Sequence, residues 1–334
     1  MANRNGTNQL KREGSSPGSL CIWSDAPLAD WLIQAVRSSG LKVIAVGSPH
    51  ADVRSCFGCE DESFSDLRVF SSQMRGIPLL FVGFGNSAAQ TAIASNHPIV
   101  FSTEPWLGNL IGSASDIGEV PLPGIPMDGR FWQASDIFAQ SASPDIAQIT
   151  SLGSIAHGSI LARIQEAADI LLKWMGVPNR VSASVGGPRI QRSSDEHPDS
   201  ASRSLRLWVG SFALTCQFSD GRAGLIMASN QHPTWCRKAL ACGPFGAVQV
   251  DDATLDWRDA ANALLEHTAP APSEWESGDH VSLIAHTLRS GADGRLLGRQ
   301  NHEHCRAFIE AACLSAFTLE SESPAKMAEI LGDS

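Results

Sequence analysis

The chain has 334 residues, 43% of them hydrophobic and 18% charged, a balance that suits a folded core and excludes general disorder. Its length favours two domains over one. The formal charge of −10 excludes nucleic acid as the expected partner and leaves room for one dinucleotide held by backbone amides at a helix start, while the absence of tyrosine excludes a tyrosine acid or base.

Residues 1–18 are polar and lack the apolar stretch of a secretion signal, so they read as a flexible tail. No apolar run reaches the roughly 18 residues that cross a bilayer, and a membrane is not expected as a partner. The scattered cysteines (21, 56, 59, 216, 236, 242, 305 and 313) are expected to be free thiols in a reducing cytoplasm.

In chain order, LCIW (20–23) reads as a buried strand, followed by a turn at Ser24-Asp25. A helical pattern through Ala29, Leu32, Ile33 and Val36 is ended by Gly40. LKVIAV (41–46) is a second strand running into Gly47-Ser48-Pro49. Strand, turn, helix and strand in this order open a doubly wound parallel sheet. Residues 51–57 and 64–74 read as short helical or connecting segments, LLFVGFG (79–85) as a third strand, 87–95 as a helix and PIVFST (98–103) as a fourth strand. The Pro- and Gly-rich stretch 105–128 reads as a loose helix and the crossing between domains.

From about residue 145 the pattern changes. DIAQITSLGSIA alternates as a strand does, and Gly158–Met175 is the strongest amphipathic helix, stopped by Gly176-Val177-Pro178. RVSASV (180–185), LRLWVGSFALTCQF (205–218), AGLIMAS (223–229) and a hairpin over 238–257 turning at Gly-Pro-Phe-Gly form a mostly antiparallel sheet that the helix can cover. Residues 189–204 and 268–280 read as exposed loops, and helical patterns at 281–289 and 301–317 close the second domain. The expected organisation is a tail (1–18), a Rossmann-type α/β domain (19–125) and an α+β domain (126–330). Both faces of the 205–218 strand carry apolar side chains, which predicts a homo-oligomer formed sheet to sheet, most simply a two-fold dimer.

This order of elements resembles the Gfo/Idh/MocA family of NAD(P)-dependent oxidoreductases over roughly residues 19–325. The resemblance implies a dinucleotide held at Ser24, Asp25, Ala26 and Pro27, with Ser24, Ala26 and Ala29 standing where the family has small glycine-type residues. Asp25 brings a negative charge there and Pro27 removes an amide donor. At the end of the second strand Ser48 stands where an acid would select NAD, and its lack leans towards NADP. Gly83, Gly85 and Asn86 correspond to the strand-end loop that lies against the cofactor. Aligned on Pro105, Glu104 replaces the family's lysine and Thr103 its glutamate, reversing the local charge. On the long helix Ala162 and Glu166 stand at the positions of an Asp-x-x-x-His pair. Asp169 matches a further polar position.

Glu166 becomes an acid or base if burial raises its pKa; the plainer reading is a carboxylate near Arg163 and Lys173 on a solvated face. Glu104 and Glu166 are thus the candidate catalytic residues. The resemblance implies an oxidoreductase acting on a sugar-like or small hydroxy or carbonyl substrate. The alternative is a non-catalytic relative serving as a binding or scaffold protein, since the glycine turn, the lysine and the Asp/His pair are replaced together. Cys56 and Cys59 have the spacing of half a zinc site without a second pair, and His302-Glu303-His304-Cys305 reads as a helix start, so no metal is expected. There is no phosphate-binding loop of the ATPase kind and no hydrolase nucleophile elbow.

Overall fold

Two sheets organise the chain in a computed structural model that describes residues 18–59, 63–83, 93, 95–105, 118–123, 129–187, 205, 208–268, 280–292 and 302–332. The first contains β1 (Ser19–Ser24), β2 (Lys42–Gly47), β3 (Ser63–Phe64), β4 (Leu79–Val82), β5 (Ile99–Ser102) and β6 (Gly118–Pro121). Their order is β3-β2-β1-β4-β5-β6, and every pair is parallel. Helices α1 (Asp30–Ser39), α2 (Ala51–Ser55) and α3 (Leu67–Gln73) lie between the strands. β1 sits at the centre, with Leu20 and Ile22 in one core and Cys21 and Trp23 in the other. A strand buried on both faces has to be apolar at successive positions, which is why LCIW does not alternate. Gly40 ends α1 in the left-handed conformation.

β6 adds a strand to the stretch 105–128, read from sequence as a loose helix and crossing; residues 106–117 and 124–128 of that stretch lie outside the described residues. The sequence of β6, GEVP, has a single apolar residue between Gly and Pro, so no periodicity marks it. It is recruited by pairing with β5, whose buried IVFS supplies the pattern. β4 ends at Val82, short of the expected Gly85, and most of the 87–95 helix lies outside the described residues.

The second sheet follows α4 (Arg130–Gln140). It contains β7 (Ile146–Ser154), β8 (Arg180–Gly186), β9 (Ser211–Gln217), β10 (Ala223–Ser229), β11 (Gln231–Gly243), β12 (Gly246–Asp251), β13 (Leu255–Arg258) and β14 (Leu264–Thr268). The order is β14-β13-β12-β11-β7-β10-β9-β8, antiparallel except where β10 joins β7. A 3₁₀ turn (Ile155–His157) leads from β7 into α5 (Ile160–Met175), which covers one face. Ile164, Ala168 and Leu171 of α5 share a core there with Ile149, Phe212, Leu214, Ile226 and Val248. Phe212, Leu214 and Cys216 of β9 point inward, while Ser211, Ala213, Thr215 and Gln217 are exposed. The strand therefore has one apolar face and one mixed face.

The helix expected to close the second domain at 281–289 does something else. Ile284 and Leu288 of α6 (His280–Ala292) join Leu20, Ile22, Leu32 and Val36 in the core of the first sheet. Arg289 donates to Ser38 O and Ser39 O, placing a cation on the C-terminal carbonyls of α1. The chain then returns through α7 (His302–Thr318), which packs on α5 and β8, and α8 (Pro324–Gly332), which packs on α7. Apolar spacing in 281–289 predicts a buried face but cannot name the sheet that buries it.

Candidate functional site

The C-terminal ends of the first sheet's strands meet the start of α5, and this is the crevice where open α/β folds bind ligands. The turn after β1 comes first. Ser24 is buried and its hydroxyl donates to Ala26 O at 2.5 Å, so it bonds within its own turn. Asp25 accepts from Trp23 Nε1 at 2.7 Å, and its carboxylate lies against Gly83. A Cβ at Gly83, where φ is +141°, would come within 2.8 Å of Asp25 Oδ2, so glycine is needed there to admit Asp25 as well as for the backbone. His50 reaches across to Asp25 O at 3.2 Å.

These residues do not fit a dinucleotide diphosphate. The turn carries an exposed carboxylate at Asp25, Asp30 adds an acid to the first turn of α1, and Pro27 has no amide to give. Ser48 is buried, its hydroxyl accepting from His50 N at 3.0 Å. It is turned into its own loop, which removes the ground for preferring NADP. Gly85 and Asn86 lie outside the described residues.

Glu104, just past β5, is 8% exposed. It accepts from Ser159 N at 2.9 Å and from the Ser159 hydroxyl, which in turn accepts from Ala162 N and caps α5. A carboxylate from the first sheet therefore sits at the positive end of the second domain's main helix. Where the resemblance implies a lysine approaching a substrate, this chain has a joint.

Arg163 and Glu166 complete the joint from within α5. Their side chains are 0% and 5% exposed and 2.6 Å apart. Ser151 donates to Glu166 Oε2 at 2.5 Å, and Arg163 Nη2 donates to His157 O at 2.9 Å. The solvated face expected for Glu166 is corrected: α5 is buried on nearly every side, under its sheet, α4 and α7. Lys173 lies instead over the Trp132 ring at 3.8 Å. Gly153 makes room for the guanidinium, since a Cβ there would stand 3.0 Å from Arg163 Nη1. Burial raises the Glu166 pKa and Arg163 opposes the rise. Buried and paired, Glu166 can keep or yield a proton only to a group that reaches the small cavity beside it.

That cavity is lined by Thr103, Ala162, Gln165, Glu166, Asp169 and Arg237, among others. Among the described residues it is narrow and polar, closed in by the Arg237 and Glu166 side chains. Arg237 of β11 is paired with Asp252 through Nε (3.1 Å) and Nη2 (2.5 Å), and donates through Nη1 to Pro123 O at 2.9 Å.

An aromatic cluster closes the other side of the joint. His280 packs on Trp31 (4.5 Å between ring centroids), His157 (4.8 Å) and Trp235 (5.1 Å), while Trp31 Nε1 donates to Ala156 O.

Of the residues singled out from sequence, the fold gathers Glu104, Ala162, Glu166 and Asp169 at the joint and leaves Ser24–Pro27 and Ser48 at the neighbouring turns. Sequence reasoning set Arg163 beside Glu166 but on a solvated face, and it missed Arg237, Asp252, His157 and His280 as partners. For Arg237 a signal existed: counting back in twos from buried Ala241 and Ala239 puts Arg237 and Trp235 on the inner face. All eight cysteines are free thiols, His304 is exposed while Cys305 is buried, and no cluster among the described residues could hold a metal. No described helix is long and apolar enough to cross a membrane.

No protein-family model matches the sequence, and no curated protein matches it. Solved structures do share its fold. An oxidoreductase from Agrobacterium radiobacter in complex with NAD+, L-tartaric acid and magnesium is 11% identical at a TM-score of 0.67, with 93% of this chain and 100% of that one covered. A levoglucosan dehydrogenase in complex with NADH and L-sorbose is 10% identical at 0.64, covering 91% and 98%. A scyllo-inositol dehydrogenase from Lactobacillus casei, with bound NAD(H) and scyllo-inositol, is 13% identical at 0.60, covering 92% and 99%. At these identities the likeness establishes the fold: a Rossmann-like parallel sheet joined to a mostly antiparallel one.

Proposed function

We propose that this chain is a non-catalytic relative of the NAD-dependent sugar and inositol dehydrogenases whose fold it shares, and that it serves as a binding or scaffold protein. The observation that carries this reading is Glu104. Where the resemblance implies a cation beside the reacting carbon, this chain has a buried carboxylate committed to Ser159 at the start of α5. Ala162 cannot donate a proton, and Glu166 is held by Arg163 and Ser151.

A second reading, an NAD-dependent oxidoreductase acting on a sugar-like substrate, draws on two observations. Fold neighbours are described with NAD(H) and with a polyol, a sugar or a hydroxy acid, and the doubly wound strand order is intact. Titration with NADH, followed by nicotinamide fluorescence, separates the two. The first reading expects no saturation at millimolar cofactor and no turnover of inositols, sugars or hydroxy acids; micromolar saturation with turnover carries the second. Removing a charge about 4 Å from a phosphate is worth on the order of 1 kcal/mol in water, about fivefold in affinity. Asp25→Asn is therefore expected to strengthen any residual NADH binding about fivefold; an unchanged affinity would mean that the turn never meets the cofactor.

The outer face of the second sheet is the place for a partner, and a second copy of the chain is the simplest one. Register lines up Ala223 and Ile146 in one row, Leu225, Gln148 and Leu240 in the next, and Ala213, Met227 and Thr150 in a third. Ile146, Met227 and Leu240 are exposed there. Sedimentation at micromolar concentration is expected to give a dimer that Met227→Lys and Leu240→Lys shift towards monomer. A 35.6 kDa species for the unaltered chain would defeat this.

A further inference from the structure

We infer that His157 and His280 form an acid-released latch across the joint between the two sheets. His280 opens α6, a helix that belongs to the first sheet's core. It is 6% exposed, and among the described residues neither ring nitrogen has a hydrogen-bond partner. Its neighbours come from three other elements: Trp31 of α1, His157 of the 3₁₀ turn and Trp235 of β11. Among the described residues the charged groups that act on it are Arg163 of α5, His157 and Arg237 of β11, all cationic or able to become so. The acids of the joint are already engaged, Glu104 by Ser159, Glu166 by Arg163 and Ser151, Asp169 by the Cys305 thiol, and Asp252 by Arg237. On α6 itself the nearest titratable group, His286, lies beside Ser290 a turn and a half further on.

A proton on His280 would therefore be a buried cation with no acceptor among the described residues and with cationic neighbours. The faces of Trp31 and Trp235 attract a cation, but a ring contact returns only a fraction of the hydration that burial removes. His157 is built to be neutral for a separate reason. Its Nδ1 accepts from Ser154 N at 3.0 Å and bonds the Ser154 hydroxyl at 2.9 Å. Protonating Nδ1 turns that acceptor into a donor and breaks the turn. Ala156 O of the same turn is what Trp31 Nε1 holds. The contact between α1 and the second domain thus depends on neutral imidazoles.

The sign follows from linkage. Burial, and then nearby cations, lower the pKa of both rings in the closed joint, His280 to about 2. Once open, each ring regains an ordinary pKa of about 6.5. The latch is closed at neutral pH. Below about pH 6.5 the open-to-closed ratio rises about tenfold per pH unit for one histidine, and up to about a hundredfold when both take up a proton. Opening would expose the polar cavity lined by Thr103, Gln165, Glu166 and Arg237. The latch is independent of what that cavity binds.

The test uses the full chain, with tryptophan emission and small-angle scattering followed from about pH 7.5 to about pH 5, the range in which imidazoles titrate. The expected result is a red shift and a larger radius as the pH falls. His280→Phe, which keeps an aromatic ring, combined with His157→Asn, which keeps an acceptor, is expected to remove the transition. His97→Gln, altering a buried histidine of the first domain bonded to Ile77 O, is expected to leave it in place. No transition in the unaltered chain, or one retained in the folded double variant, overturns the latch. Should the double variant fail to fold, imidazole NMR of the unaltered chain decides. His157 and His280 resonances moving together with the opening support the latch, and titration at a different pH from the opening refutes it.

Discussion

Replacing Arg163 with methionine is expected to lower the stability of the folded chain by about 3–5 kcal/mol, the range for breaking a buried ion pair from one side. Methionine fills most of the stem's volume, so the loss reports charge rather than a void. Glu166 is left 5% exposed with Ser151 as its hydrogen-bond partner among the described residues and the more distant Arg237 charge, and His157 O loses its donor. Burial already holds the Glu166 carboxyl above its ordinary range, with Arg163 pulling it back. Without Arg163 it rises further. A carboxyl raised in the folded state costs stability as the pH climbs from its ordinary pKa through the raised one. The deficit relative to the unaltered chain should thus be largest near pH 8 and shrink on acidification. Adding Glu166→Gln should recover part of it, since a neutral amide needs no counter-ion. Urea unfolding of the four chains in the cycle measures this; a single-variant loss below about 1 kcal/mol would place Arg163 among exposed pairs and undo the description of the joint.

Arg237→Met is expected to be comparably costly, about 3–5 kcal/mol, because it strands Asp252, itself only 6% exposed, and leaves Pro123 O without a donor. Burial disfavours charge on both partners. Asp252 offsets that for Arg237, and we take the guanidinium to be charged. Arg237→Lys keeps the charge but not the two-pronged geometry, since one ammonium cannot meet both carboxylate oxygens and a carbonyl at once. It should fall between the methionine variant and the unaltered chain. A lysine variant as stable as arginine would show that the fork is immaterial. The contact to Pro123 ties the stretch after β6 to the second sheet, so the methionine variant should also loosen that stretch, which amide exchange at Leu122 would register.

Local pattern was enough to find most of this fold. LCIW, LKVIAV and PIVFST announced a parallel sheet because strands covered on both faces must be apolar at successive positions. The turn at Gly243-Pro244-Phe245-Gly246 and the alternation of β7, β9 and β10 announced the antiparallel one. Phe131, Ala134, Ile137 and Phe138 gave α4 a legible helical face that we did not extract from the sequence. β6 carried no such face, and only its neighbour made it a strand.

The sequence by itself also determined that Ser24, Glu104 and Ala162 are not the residue types the resemblance implies at those positions. What those residues contact could not be read that way. Glu104 is a carboxylate in any fold; whether it faces solvent, substrate or Ser159 depends on where a segment fifty-five residues later comes to rest. Arg163, Glu166 and Lys173 look alike on a helical wheel, yet two are buried and one lies on an indole. His280 meets His157 only because α6 crosses back to α1. Local preference acts over a few residues and fixes strands, helices and turns. Burial and the pairing of charges are sums over atoms brought together from distant parts of the chain, so only the tertiary structure decides them.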